Sequence, residues 1–166
     1  MEPKYELTDE TMKVANRTLY RIRALRDFGD VKKGDLGGWV ESEDNLSHED
    51  NCWVGGNACV FQSAKVFDNA YVSENAKIFN CSRVFDNAQI YGDAKIYGNA
   101  NVYHNAQVYG NAIVKGDFNK STDIFGNAKV YDSARIYDQV KIFRNTEVCG
   151  LADIRGNTRI PQDIKT

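Results

Sequence analysis

Only two imidazoles occur in this 166-residue chain, His48 and His104, and they bound the acid–base chemistry it can perform. His104 stands in "VYHNA", the only histidine inside the regular part of the sequence. An imidazole there is the kind of group that takes a proton from a hydroxyl or amine nucleophile. Neighbouring repeats place Asp or Gly at the same position, so His104 fits an exposed turn as readily as a catalytic base. His48 lies in "LSHEDN", beside Glu49 and Asp50. Cys52, Cys59, Cys81 and Cys149 fall at unrelated phases, with no CxxC and no Cys/His cluster at zinc-ligand spacing. They read as reduced thiols, and a metal enzyme is not expected. "GDLGGWV", from Gly34 to Val40, lacks the Lys-Ser/Thr of a phosphate-binding loop and the GxGxxG spacing. It is expected to let the chain turn.

Charge excludes further classes. The net charge of -2 gives no chain-wide attraction to nucleic acid or an anionic membrane. Arg17, Arg21, Arg23, Arg26, Lys32 and Lys33 make the N-terminal segment locally basic, but Glu2, Glu6, Asp9 and Glu10 offset them, so a solvated face is expected. No apolar run approaches the roughly 20 residues that span a bilayer, and "MEPKYELTDE" lacks the regions of a secretory signal. A cytoplasmic protein without membrane contact is the expectation.

The residues that position any such chemistry are set by a six-residue phrase repeated from about Val54 to Ile160: "VFDNAY", "VFDNAQ", "IYGDAK", "IYGNAN", "VYHNAQ", "VYGNAI", "VYDSAR". Position i is Val or Ile throughout, β-branched and suited to a packed pleated surface. Position i+4 is small, usually Ala, and faces the same way as the next i. Between them Gly or Asp followed by Asn marks a corner that tolerates left-handed backbone. Strands of about four residues, a corner every six and three sides per turn give an all-β, triangular parallel β-helix of about six 18-residue coils. Three segments are expected: an N-terminal β cap over 1–38, an irregular lead-in coil over 39–53, and the repeats over 54–166 with a short insertion at 115–123. In the cap, "KYELTDE" and "RTLYRIRAL" read as a β-hairpin turning near Val14 to Arg17 and covering the open end of the solenoid. Val40 and Leu46 read as irregular early i positions, with Trp39 and Trp53 closing that end of the core.

With an aliphatic residue at i and a small one at i+4, the repeats resemble the hexapeptide-repeat family over about two-thirds of the chain. That resemblance implies a left-handed β-helix. It implies little about activity, because the family includes acyltransferases, carbonic anhydrases and plain scaffolds. This chain departs from the commoner pattern at i+1, where an aromatic ring replaces a small or acidic residue. The resemblance also raises an alternative function, an acyltransferase using coenzyme A with His104 as base.

Position i+1 points outward. Sorted by coil, and allowing four extra residues near Lys120 to Asp123, one face stacks Phe67, Phe85, Tyr103, Phe125 and Phe143. A corner row of Asn69, Asn87, Asn105, Asn127 and Asn145 adjoins it, expected to form amide ladders. Lys65, Arg83, Lys141 and Arg159 flank the rings at i-1, giving the polar rim and apolar centre of an interface. A homo-oligomer or partner-binding face is expected, and no cofactor. Repetition favours a non-catalytic binding or scaffold protein over an enzyme, because an active site needs local exceptions. "RTLYRIRALRDFGDVKKGDLGGWVE" followed by such repeats also resembles small proteins of bacteriophages and gut bacteria. That implies a phage or mobile-element accessory protein, with contact to a host protein or defence complex compatible with it.

Overall fold

The computed structural model describes residues 2–166. Coil follows coil in a parallel β-solenoid of three sheets, with nine, seven and six strands. Pairing is at an offset of one coil: Lys65 opposes Arg83, and Gln89 opposes Gln107. The expected four-residue insertion shifts that register once, from Asn101 to Asp123 and from Ile113 to Arg135, and the 18-residue spacing resumes at Asp123 and Lys141. About seven turns result instead of six. Val40 pairs with Val60 and Leu46 bridges to Val66, so the irregular lead-in already belongs to the stack.

The branched aliphatics and alanines share a dry interior. Val54, Val72, Ile90, Val108 and Val130 are fully buried, as are Ala58, Ala76, Ala94, Ala112 and Ala134. A branched residue beside a methyl in each layer fills a narrow prism, and truncating one buried Ile to Ala is worth about 2–5 kcal/mol. Most coil strands are two residues long, the i-1 and i positions of each repeat, instead of the four expected. The chain leaves the ladder directly after i+1 because the next residue takes a positive φ, as at Asp68 (56°), Asp86 (54°), His104 (55°) and Gly126 (65°). Left-handed backbone is thus confined to i+2, and the Asn at i+3 does not share it.

The cap is a hairpin of β1 (Tyr5–Val14) and β2 (Arg17–Ala24). It turns through Ala15 and Asn16, both at positive φ (49° and 62°), the arrangement whose twist suits a two-residue hairpin. Strand β2 pairs antiparallel with β3 (Leu36–Val40), and β3 pairs parallel with Cys59–Val60 of the first regular coil. The "GDLGGWV" segment is therefore largely strand and not turn. Its glycines answer close approach: a Cβ on Gly37 would stand 2.5 Å from the Val54 carbonyl oxygen, and one on Gly38 2.5 Å from that of Ala58. Tyr5, Ile22, Ala24, Phe28 and Val31 close the core against Leu46 and Trp53. Trp39 does not join them. It lies outside the sheet in a second apolar cluster with Leu19, Cys59 and Phe61, formed where the hairpin folds over that face.

Candidate functional site

On the six-stranded face, five rings form one continuous stack. Centroid spacings are 4.8 Å (Phe67–Phe85), 4.9 Å (Phe85–Tyr103), 5.1 Å (Tyr103–Phe125) and 5.4 Å (Phe125–Phe143), with planes within 11° of parallel. Strand spacing imposes these distances, so each ring half-buries its neighbours. Burial, then the negative charges of Asp123 and Asp86, pushes the Tyr103 phenol above its usual pKa. The other two ring rows differ. On the nine-stranded face Phe61 is covered by the hairpin, Lys115 reaches over Tyr97 (5.8 Å), and Arg155 covers Tyr137 (4.4 Å). On the seven-stranded face Tyr91, Tyr109 and Tyr131 stack at 4.8 and 4.9 Å.

The rim of the five-ring face is charged on both sides. Lys65 and Arg83 are exposed at i-1, whereas Lys141 is held by Asp123 and by the Ser121 carbonyl (2.8 Å). Arg159 lies 4.8 Å over the Phe143 ring and closes the stack at that end. On the opposite edge of the rings, at i+2, stand Asp68 and Asp86.

That corner also determines what His104 does. Its Nδ1 accepts the Gly126 backbone N–H at 3.2 Å, so in the neutral ring the proton is on Nε2. To act as a base through Nε2 the ring would need the other tautomer, with Nδ1–H held by an acceptor and Nε2 free to accept. Asp68 and Asp86 make the same bond, each accepting the N–H of the corner residue one coil on (3.2 and 3.1 Å). Glu74, Asn80, Asp132 and Asp138 repeat it to Gly92, Gly98, Gly150 and Gly156. His104 is one member of a corner ladder. The amide ladder expected one position later reduces to a single side-chain pair, Asn127 to Asn145 at 3.0 Å. At i+3 it is the backbone that bonds, as in Asn69 N–H to the Asp86 carbonyl.

An open groove runs along a different corner, between the nine-stranded and six-stranded faces, lined by Gln62, Asn80, Cys81, Arg83, Lys115 and Phe118. The insertion forms its wall. A Cβ on Gly116 would stand 1.6 Å from the Asn99 carbonyl, so only glycine can start the excursion. Thr122 takes the small interior position that the period assigns to residue 118, donating through Oγ1 to the Asp138 carbonyl at 2.6 Å. Phe118 is left 91% exposed at the tip. His104 is not among the groove's residues.

Sequence reasoning missed one site. The ammonium of Lys4, fully buried under the cap, donates to the carbonyls of Cys52 (2.8 Å), Glu49 (3.1 Å) and Asp50 (3.3 Å), and lies 3.2 Å from Cys52 Sγ. Nearby, His48 Nδ1 accepts the Lys4 backbone N–H at 3.1 Å, and its ring stacks on Tyr5 at 4.2 Å. No periodicity marks these residues. Among the described residues, no three His, Cys, Asp or Glu side chains stand close enough to hold a metal ion, and no helix is long and apolar enough to cross a membrane.

The one-coil register and the buried i and i+4 rows decide the architecture. The chain is a parallel β-solenoid built on a six-residue repeat, consistent with a hexapeptide-repeat family. Residues 106–118 match the family described as YdcK Beta solenoid repeat. A relative is the "Uncharacterized acetyltransferase YdcK" of Escherichia coli (strain K12), 36% identical over 72 residues, which is 38% of this chain. The match spans 22% of that protein's length.

Proposed function

We propose that this solenoid is a non-catalytic binding protein that acts in the cytoplasm by protein–protein contact, and that two copies meet through the five-ring face. The observation that carries this reading is the ring stack and the charge rows beside it. Turning one copy by 180° about an axis along the stack sets rings on rings and brings each i-1 row against the partner's i+2 row. Lys65 then opposes Asp68, Arg83 opposes Asp86, and Asn101 opposes His104, while Lys141, neutralised by its own Asp123, meets Arg144. The contact is isologous and closes as a dimer. The sequence resemblance to phage and gut-bacterial proteins supports an accessory role in a phage or mobile element, with a host protein or defence complex as target of another face. Light scattering on the purified protein tests the reading. The parent is expected at twice the chain mass, and the Tyr103→Glu, Phe125→Glu double variant at the chain mass with an unchanged far-ultraviolet spectrum. A parent that stays monomeric at tens of micromolar overturns it.

The relative's printed name, together with the groove walled by the Phe118 excursion, supports a second reading, an acetyltransferase using coenzyme A. Saturable coenzyme A binding, weakened by Phe118→Ala, would favour it over the first. Loss of that binding on His104→Ala would favour the transferase reading at that corner despite the bond to Gly126.

A further inference from the structure

Lys4 and Cys52 are both fully buried, their Nζ and Sγ 3.2 Å apart, although 48 residues separate them in sequence. A buried ammonium normally needs a carboxylate partner. This one has three backbone carbonyls, the face of Phe28 at 4.8 Å, and a thiol. Burial lowers the Lys4 pKa and raises that of Cys52. The two shifts bring the amine and the thiol closer in proton affinity, so that across 3.2 Å one proton can be shared between them. Pro3 and Asn51, their chain neighbours, are exposed.

We infer that Lys4 and Cys52 form an oxidative modification site, in which hydrogen peroxide converts the pair into a covalent sulfenamide joining the cap to the first coil. Peroxide takes two electrons from the sulfur: with the shared proton on Lys4, the Cys52 thiolate attacks one peroxide oxygen, the O–O bond breaks, and the departing hydroxide takes that proton as water, leaving a sulfenic acid beside a neutral amine. The Lys4 amine then attacks the sulfenyl sulfur. An N–S bond forms, the S–O bond breaks, and the departing hydroxide takes the amine proton as a second water. The sum is one thiol, one amine and one peroxide giving one sulfenamide and two waters. Thiol reductants reverse it. The bond closes a loop between the N-terminus and the lead-in coil, and constraining the unfolded chain in this way raises stability.

Mass spectrometry of the intact chain after peroxide treatment, followed by digestion without reductant, tests this. The expected result is a species about 2 Da lighter, from the loss of two hydrogens, in which the peptides of Lys4 and Cys52 are joined. Dithiothreitol should separate them. Cys52→Ser and Lys4→Gln should each abolish the cross-link, and the treated parent should melt higher than the untreated one. Exposed Cys81 is the internal gauge of dose. The inference is overturned if peroxide that fully oxidises Cys81 leaves Cys52 a free thiol. It is also overturned if Cys52 proceeds to sulfinic acid while Lys4 still reacts with an amine reagent after denaturation. All decisive readings come from the parent, so a variant that fails to fold does not blunt the test.

Discussion

At His104 the side chain replaces an aspartate in a hydrogen bond and nothing more elaborate is required of it. His104→Asp should therefore leave the urea midpoint nearly unchanged, since Asp86 and Asp132 make the same bond at the same backbone angle. His104→Ala loses the acceptor for Gly126 and keeps the strained φ, so about 1–2 kcal/mol of stability should go. Cys59 carries a pH dependence. Burial under the hairpin pushes its thiol up to about 11 from an ordinary 9.0. Between those values the unfolded chain releases the proton while the folded chain keeps it, so stability falls as pH rises through that window and is fully present below it. Urea midpoints measured from pH 8 to 11 should drop more steeply for the parent than for Cys59→Ala.

The coil is the unit at the next scale, and the insertion shows what it tolerates. Residue 118 is where the period requires a small interior side chain, and Thr122, four residues later, supplies one. Deleting 118–121 should bring Thr122 into register, restore an 18-residue coil and leave the melting temperature within a few degrees; a molten or aggregated product would contradict this. Much of this level was legible in the sequence. The β-branched and small residues gave the dry interior, the Gly and Asp corners gave the breaks, and the mismatch near Lys120 gave the size of the insertion. Strand length and the amide ladder were not legible, because composition cannot distinguish an Asn at positive φ from one beside it. Trp39 misled for a similar reason: its period position is outward, and only the folded-over hairpin explains why a large ring stands there. The Lys4 site had no sequence signal at all, since its partners are carbonyls.

Across the whole molecule, two ring rows remain open, the five-ring stack and the shorter tyrosine row of the seven-stranded face. The hairpin covers the start of the nine-stranded face and cations cover its later rings, leaving the five-ring stack uncovered along its middle. If the proposed dimer aligns the two solenoids in parallel, Arg83→Asp should weaken it at least tenfold and adding Asp86→Arg should restore it, as read by sedimentation. Arg144 already occupies the equivalent corner with φ 63°, so arginine fits there. A dimer indifferent to both changes would keep self-association and reject the parallel alignment. The corner ladder has a direction as well. Each side-chain acceptor lies one coil before the N–H it serves, while the backbone N–H groups that flank it donate to a carbonyl one coil later, as Asn69 does to Asp86 and Asn87 to His104. A chain leaving the ribosome therefore presents every new rung to a finished template already equipped with both kinds of partner. Growth by accretion, one rung at a time from the capped end, is an assembly route this arrangement allows.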